Sequence, residues 1–272
     1  MPELPEVART AMSLNAAVEG SELNEVIVHS GRYSRHGDPV GLEEFRKSFP
    51  IKVESVQFHG KLIVFEFIDK QKKKWWCWNT LGMSGGWRYD KSKHGHVEFK
   101  TSKGSVYFTD ARNFGTLKFI NNEKETLKKI NSIGPNHLAQ DISDEIFKER
   151  LMKYPESTMP QVLMNQKLIG GIGNYIKAEV LYRSKISPHR LVKTLSDKEF
   201  SALNEHTADV VRSSFYSRGA SIRTYKGMDG EDGNYVFEFQ CYGRENCPEG
   251  FPVVREQTED GRTTWWVPQI QK

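Results

Sequence analysis

Leu4, Val7, Ala8, Ala11, Leu14 and Val18 recur at three- and four-residue steps, and Gly20 follows as a stop. That spacing predicts an amphipathic helix over residues 3–18. From about residue 22 to 120 the pattern shortens to period-two runs: Leu23–His29, Lys52–His59, Leu62–Ile68, Trp75–Thr80, His96–Phe99, Val106–Thr109 and Thr116–Ile120. Polar or glycine-containing breaks separate the runs, predicting an antiparallel β-sandwich rather than βαβ units. Beyond about residue 123 the period becomes helical, with helices expected near Glu123–Ile133, Ile142–Tyr154, Met159–Asn165, Gly173–Ser184 and Asp197–Ser217. The turn Ile133-Gly-Pro-Asn136 places a domain boundary near 122–140. The glycine-rich polar stretch Lys226–Asn234 reads as a mobile loop, and short strands near Tyr235–Cys241 and Thr263–Val267 close the chain. The expected class is α+β.

Composition narrows the function classes. At roughly 150 residues per domain, 272 residues suggest two domains. A hydrophobic share of 37% with a mean hydropathy of −0.62 supplies a core but no membrane span. The opening Met-Pro-Glu-Leu-Pro-Glu lacks the basic and apolar regions of a secretory signal. Three cysteines, Cys77, Cys241 and Cys247, cannot build a disulfide framework, which points to an intracellular protein. The net charge of +4 is unevenly spread: residues 52–130 hold 16 basic against 8 acidic side chains. The same stretch carries Trp75, Trp76, Trp78, Trp87, Tyr89 and Phe99, a mixture suited to a polyanion such as nucleic acid. A solvated Lys70–Lys74 turn beside core aromatics fits the composition equally well.

Several positions carry possible chemistry. Removal of Met1 would leave Pro2 as a secondary amine, and such an amine attacking an aldehyde-like sugar carbon gives an iminium, an electron sink for elimination. Glu3 and Glu6, three residues apart, share a helix face near that amine, although Pro and Glu are also ordinary first-turn residues. Lys61, in His59-Gly-Lys61, stands at a strand start. Thr109-Asp-Ala-Arg-Asn-Phe-Gly115 carries an Arg and a Phe suited to entering a base stack; each could equally be a surface or hairpin residue. Leu168-Ile-Gly-Gly-Ile-Gly-Asn-Tyr175 leads into a helix whose first N–H groups form a natural phosphate site, or else it is a tight helical hairpin without a ligand. Cys241 and Cys247 are six apart with no CxxC and no following Cys or His, so no metal site is expected.

Together the segments resemble the formamidopyrimidine-DNA glycosylase/endonuclease VIII family of base-excision repair enzymes. The resemblance rests on Pro2-Glu-Leu-Pro-Glu-Val7, His59-Gly-Lys61, Leu81-Gly-Met-Ser-Gly85, His94-Gly-His-Val97, Asp110-Ala-Arg-Asn-Phe-Gly115, Leu163–Tyr175 and Gly261–Lys272. It implies a bifunctional DNA glycosylase/AP lyase acting, as a monomer without cofactor, on double-stranded DNA that contains oxidised bases or abasic sites. Pro2 would be the Schiff-base nucleophile and Glu3 the general acid/base, with Glu6 stabilising the helix start. Lys61 would contact the phosphate backbone and assist elimination. Met83, Arg112 and Phe114 would fill the gap left by a flipped nucleotide, and His94 would contact DNA. Asn174 and Arg262 would grip phosphates at the lesion.

The implied organisation is a catalytic β-sandwich over 1–130, a helix-two-turn-helix domain over 131–225, and a lesion loop with a finger over 226–272. The Ala220–Asn234 loop is long enough to close over an oxidised base. The chain departs from the family pattern in two places. Of the finger's usual zinc cysteines, near Cys247, Gly250, Val267 and Ile270, only the first is present, as in zincless-finger members. The basic residue expected before the Met159 helix is replaced by Glu156 or Pro160. The alternative from another class is a non-catalytic damaged-DNA binding protein on the same scaffold, against which Pro2, Glu3 and Lys61 argue.

Overall fold

The alternating residues between 22 and 120 build one antiparallel sheet. Its strands are β1 (Glu22–Val28), β2 (Ile51–His59), β3 (Leu62–Ile68), β4 (Lys74–Thr80), β5 (Gly85–Arg88), β6 (Gly95–Thr101), β7 (Gly104–Asp110) and β8 (Thr116–Ile120). They pair in the order β5-β7-β6-β1-β2-β3-β4-β8 in this computed structural model, which describes residues 1–217, 227–229 and 239–272. The sheet coils until its two halves face one core, which makes it a sandwich. Phe65 of β3 lies 5.4 Å from Trp87 of β5 and 5.5 Å from Phe99 of β6, and Phe99 lies 6.1 Å from Phe119 of β8. Across the same interior Trp87 Nε1 donates to Asn79 Oδ1 at 3.0 Å, satisfying two buried polar groups that would otherwise be costly.

Helix α1 (Leu4–Val18) lays Val7, Ala11, Leu14 and Val18 into this core, the three- and four-residue stripe expected of it. Two short helices, α2 (Arg32–His36) and α3 (Leu42–Arg46), stand between β1 and β2. Phe45 of α3 stacks on Phe119 at 4.7 Å and meets Trp75 at 5.3 Å. The sequence pattern predicts neither helix, because five residues are too few to show a helical period. Nor does it predict the short β5, which opens with two glycines and is held by its pairing with β7, Gly85 opposite Asp110. Helix α4 (Glu123–Asn131), capped by Asn122 accepting from the Glu125 N–H, closes this part of the chain.

Contacts divide the chain into two units. Met1–Pro2, Glu6–Ser132 and residues 227–229 belong to the one just described; Glu3–Pro5, Ile133–Ser217 and 239–272 belong to the other. The second is helical: α5 (Asp144–Leu151), α6 (Met159–Leu163), α7 (Asn174–Arg183) and α8 (Asp197–Tyr216), followed by the hairpin of β9 (Val254–Gln257) and β10 (Thr263–Trp266). Every residue of α7 from Tyr175 to Tyr182 is buried, so this helix is the axis of its unit. It carries two charges into that interior, Lys177 and Glu179. Most of the expected strand Tyr235–Cys241 and of the Lys226–Asn234 loop, like the closing role given to Ala220–Asn234, lies outside the described residues. No helix among the described residues is long and apolar enough to cross a membrane.

Candidate active site

Glu3 is almost completely buried, one residue before α1, and its carboxylate caps a different helix. Oε1 accepts the Tyr175 N–H at 2.9 Å and Oε2 accepts the Ile176 N–H at 3.2 Å. These are amides of the first turn of α7, which have no partner inside their own helix. The approach is close enough that glycine is required at 173: a Cβ there would stand 2.6 Å from Glu3 Cγ, and nearer still to the carboxyl carbon. Beside it, the Leu4 N–H donates to the Gly171 carbonyl at 3.1 Å; Gly171 has φ +95 and no room for a Cβ against Leu4.

This arrangement narrows one expectation. The glycine loop would present free amides to a phosphate on its sequence alone, but in the fold four of those amides are already used. The first-turn N–H groups of Tyr175 and Ile176 bind Glu3; the Gly170 N–H donates to Pro135, and the Gly171 N–H to Gln166 Oε1 at 2.8 Å. Asn174 Nδ2 donates to the Thr263 carbonyl at 2.8 Å, while its buried Oδ1 has no partner among the described residues. Thr263 follows Arg262, whose exposed side chain sits at the tip of the β9–β10 hairpin. Glu3, Asn174 and Arg262 are thus gathered around one helix end.

Two residues that sequence reasoning missed complete this cluster. Lys177 is buried and donates to Asp260 Oδ2 at 2.8 Å. Asp260 Oδ1 accepts the Thr258 hydroxyl at 2.7 Å and the Arg262 N–H at 3.2 Å. Burial lowers the Lys177 ammonium from the usual lysine range against the pull of Asp260. Burial would raise the Asp260 carboxyl, but hydrogen bonds from Lys177 and Thr258 prevail and hold it below the usual range. A buried lysine has no signature in a single sequence, since lysine is ordinarily exposed.

The other predicted residues lie in the first unit. Pro2 is buried ahead of α1; Glu6, fully buried, lies in its first turn. Lys61 is half-buried in the tight turn from β2 to β3. Met83, Arg112 and Phe114 stand on two adjacent loops, with Met83 38% and Phe114 54% exposed and the Arg112 guanidinium 5.1 Å above the Phe114 ring. Asp110 latches these loops together, which the sequence also did not reveal. Its Oδ1 accepts the Ser84 hydroxyl at 2.6 Å and the Arg112 N–H at 3.2 Å, and Oδ2 accepts the Gly115 N–H at 2.6 Å. His94 is exposed just before β6, 6.2 Å from the ring of His96. Glu156, one of the two residues expected in place of the basic one, pairs with Lys193 at 2.7 Å.

The base of the hairpin does not suit zinc. Cys241 and Cys247 are buried with Tyr182 and Val267, and Val253, Trp265 and Ile270 pack around them. Burial pushes the Cys241 thiol far up, so in this packing it is a neutral, apolar-like side chain. The apolar Val267 and Ile270 therefore fill with hydrocarbon the place where further ligands would stand, and no group of three or more His, Cys, Asp or Glu side chains among the described residues could hold an ion.

Comparison with known proteins agrees with this fold. Residues 1–117 match the formamidopyrimidine-DNA glycosylase N-terminal domain, and residues 133–226 match the H2TH domain of the same glycosylases. The formamidopyrimidine-DNA glycosylase of Desulfitobacterium hafniense strain Y51 is 30% identical over 285 residues, and that of Escherichia coli strain 55989 is 31% identical over 281, each alignment covering 100% of both chains. Among solved structures, MutM (Fpg) from Thermus thermophilus superposes with a TM-score of 0.82 at 25% identity, covering 99% of this chain and 98% of that one. The Lactococcus lactis Fpg in complex with DNA containing an abasic site gives 0.84 at 26% identity over 99% of both chains. Two family models, relatives aligned end to end and a shared fold lead to one conclusion: the chain belongs to the formamidopyrimidine-DNA glycosylase family.

Proposed function

We propose that the protein is a bifunctional DNA glycosylase/AP lyase that flips oxidised bases out of duplex DNA, excises them and cleaves the resulting abasic site. The observation that carries this reading is the carboxylate of Glu3, buried, held by two backbone amides and next in the chain to Pro2. A catalytic carboxylate must keep its position to within a fraction of an ångström, and two backbone amides hold this one.

Once Met1 is removed, the Pro2 nitrogen attacks the sugar carbon bearing the damaged base. The carbon–base bond breaks, and the departing base takes a proton from the Glu3 carboxyl. The attached nitrogen gives its own proton to the Glu3 carboxylate, which passes it to the ring oxygen as the bond between that oxygen and the sugar carbon breaks. The iminium so formed acidifies the neighbouring carbon, which loses a proton to a base, and the 3′ phosphate leaves with the electron pair. Hydrolysis of the iminium returns the amine. In this reading Lys61, Asn174 and Arg262 each hold a phosphate of the bound DNA. Met83, Arg112 and Phe114 fill the space left by the flipped nucleotide, a use for the apolar Met83 and Phe114 side chains otherwise standing in water. The β-sandwich part carries the amine, Lys61 and the gap-filling loops, and the helical part with its hairpin carries Asn174 and Arg262.

Borohydride reduction on DNA containing an abasic site tests this directly. The expected product is a covalent protein–DNA adduct formed by protein lacking Met1 and strongly diminished in Pro2→Gly. An active preparation that gives no adduct, or that retains Met1 by mass spectrometry, would overturn the Pro2 mechanism, whereas a protein that binds this DNA and yields neither adduct nor cleavage would favour the non-catalytic binding reading.

A further inference from the structure

Arg262 is held at both flanks by the first turn of α7. On one side Asn174 Nδ2 bonds the Thr263 carbonyl, and on the other Lys177 Nζ bonds the Asp260 carboxylate. Asn174 and Lys177 are three residues apart, about 4.5 Å along the helix and on one face of it. The hairpin tip therefore lies against that turn, gripped at two points with Arg262 between them. Within the tip the backbone of Arg262 is also fixed, its N–H by Asp260 Oδ1 and its carbonyl by the Thr258 N–H at 3.0 Å. Thr258 in turn meets the Thr264 hydroxyl at 2.7 Å across the hairpin.

The ion pair is a costly way to build such a contact. The side chains of Lys177 and Asp260 are 0% and 3% exposed, so both charges have left water. Desolvation offsets most of what their attraction contributes, and a well-packed apolar pair would hold the two elements together about as firmly. An apolar contact can slide, however, whereas a lysine nitrogen bonded to one carboxylate oxygen allows one register only. The hairpin base, packed from Cys241, Cys247 and Val267, supplies cohesion but nothing directional at the tip.

We propose that Lys177 is a positioning residue: by clamping Asp260 it sets the register of the hairpin tip on α7 and so places Arg262 beside Asn174 for a shared phosphate. The inference rests on the phosphate-gripping role proposed above for Arg262.

The test is a cycle in the full chain between the pair and Arg262. Lys177→Met combined with Asp260→Asn removes both charges and keeps the Oδ1 acceptor for Thr258 and Arg262. The expected melting temperature stays within a few degrees of the parent. Binding to an uncleavable abasic-site duplex should nonetheless weaken as it does in Arg262→Ala, with the slope of log affinity against log salt falling by about one. Adding Arg262→Ala to the double variant should cost nothing further, because the two changes remove the same contact. Lys177→Arg should restore the salt slope, as a replacement cation on the same clamp. If the neutral pair keeps the parental affinity and slope, or if its loss adds in full to that of Arg262→Ala, the positioning role falls while the role of Arg262 stands. If Arg262→Ala alone leaves affinity unchanged, both readings fall. Should the double variant not fold, Asp260→Asn alone enters the same cycle with the same criteria.

Discussion

Gly173→Ala is the sharpest test of how Glu3 is held. Gly173 has φ −125 and ψ −159, extended backbone that alanine adopts freely, so any effect comes from the added methyl and not from strain. That methyl would stand 2.6 Å from Glu3 Cγ, whereas carbon atoms pack at about 3.5–4.0 Å, so the side chain must retreat by about 1 Å. Such a retreat stretches the bonds from Tyr175 and Ile176, now 2.9 and 3.2 Å, beyond useful length. Hydrogen bonds to a charged group contribute about 1.5–3 kcal/mol each, which puts the loss of both at about 3–6 kcal/mol before relaxation. A displacement of about 1 Å at a catalytic group slows turnover by about 10²-fold. Single-turnover excision from an oligonucleotide with one oxidised base measures the chemistry, and thermal unfolding measures the stability. Gly173→Ala in a Glu3→Gln background should slow the reaction no further, because the same group has already been disabled. A Gly173→Ala protein that excises at the parental rate would refute the reasoning.

Three other outcomes are expected. His137 is buried without a partner for Nε2 among the described residues, and burial, aided by Arg212, brings its pKa down to about 4. The unfolded chain therefore takes up this proton first as pH falls: the stability is complete above about pH 6.5 and lost progressively towards about pH 4, amounting to ~3 kcal/mol. Urea midpoints at pH 7 and 4.5 should show that difference shrink in His137→Gln, and an unchanged difference would contradict it. Asp110→Ala strands the Ser84, Arg112 and Gly115 donors and should cost about 3 kcal/mol; a fluorescent base placed opposite the lesion should report slower gap filling, and parental kinetics would argue against the latch. A strong chelator should leave melting temperature and activity unchanged, whereas Val267→Ala should cost about 2 kcal/mol; stoichiometric zinc by elemental analysis would refute the apolar packing of the hairpin base.

The fold was legible wherever a period had room to develop. Leu62–Ile68 and Thr116–Ile120 form strands over the residues expected, and the α1 stripe faces the core as its spacing required. Elements of four or five residues were not legible: α3 exists because Phe45 fits between Phe119 and Trp75, a condition set by distant chain. The candidate site was legible as motifs, and its wiring was not. Nothing local in Gly173-Asn-Tyr-Ile176 says that its amides are spent on a carboxylate some 170 residues away. Lys177 and Asp260 read as ordinary surface charges until the hairpin folds over them.

The crowding of duties onto α7 limits how its gene can change length. Its first amides fix Glu3, Asn174 and Lys177 hold the hairpin tip, and Glu179 accepts the Gln240, Cys241 and Tyr242 N–H groups at 2.8–3.0 Å. One residue inserted or deleted within the helix turns everything beyond it by about 100° and shifts it by about 1.5 Å. Such a change would unseat several attachments in a single step, and no second substitution nearby could restore them all. The Gln71–Lys73 turn between β3 and β4, exposed and held by backbone bonds to neighbouring Asp69, carries no such set of distant attachments among the described residues. Length variation among descendants of this chain should therefore collect in such turns, while the distance from Gly173 to Glu179 stays constant.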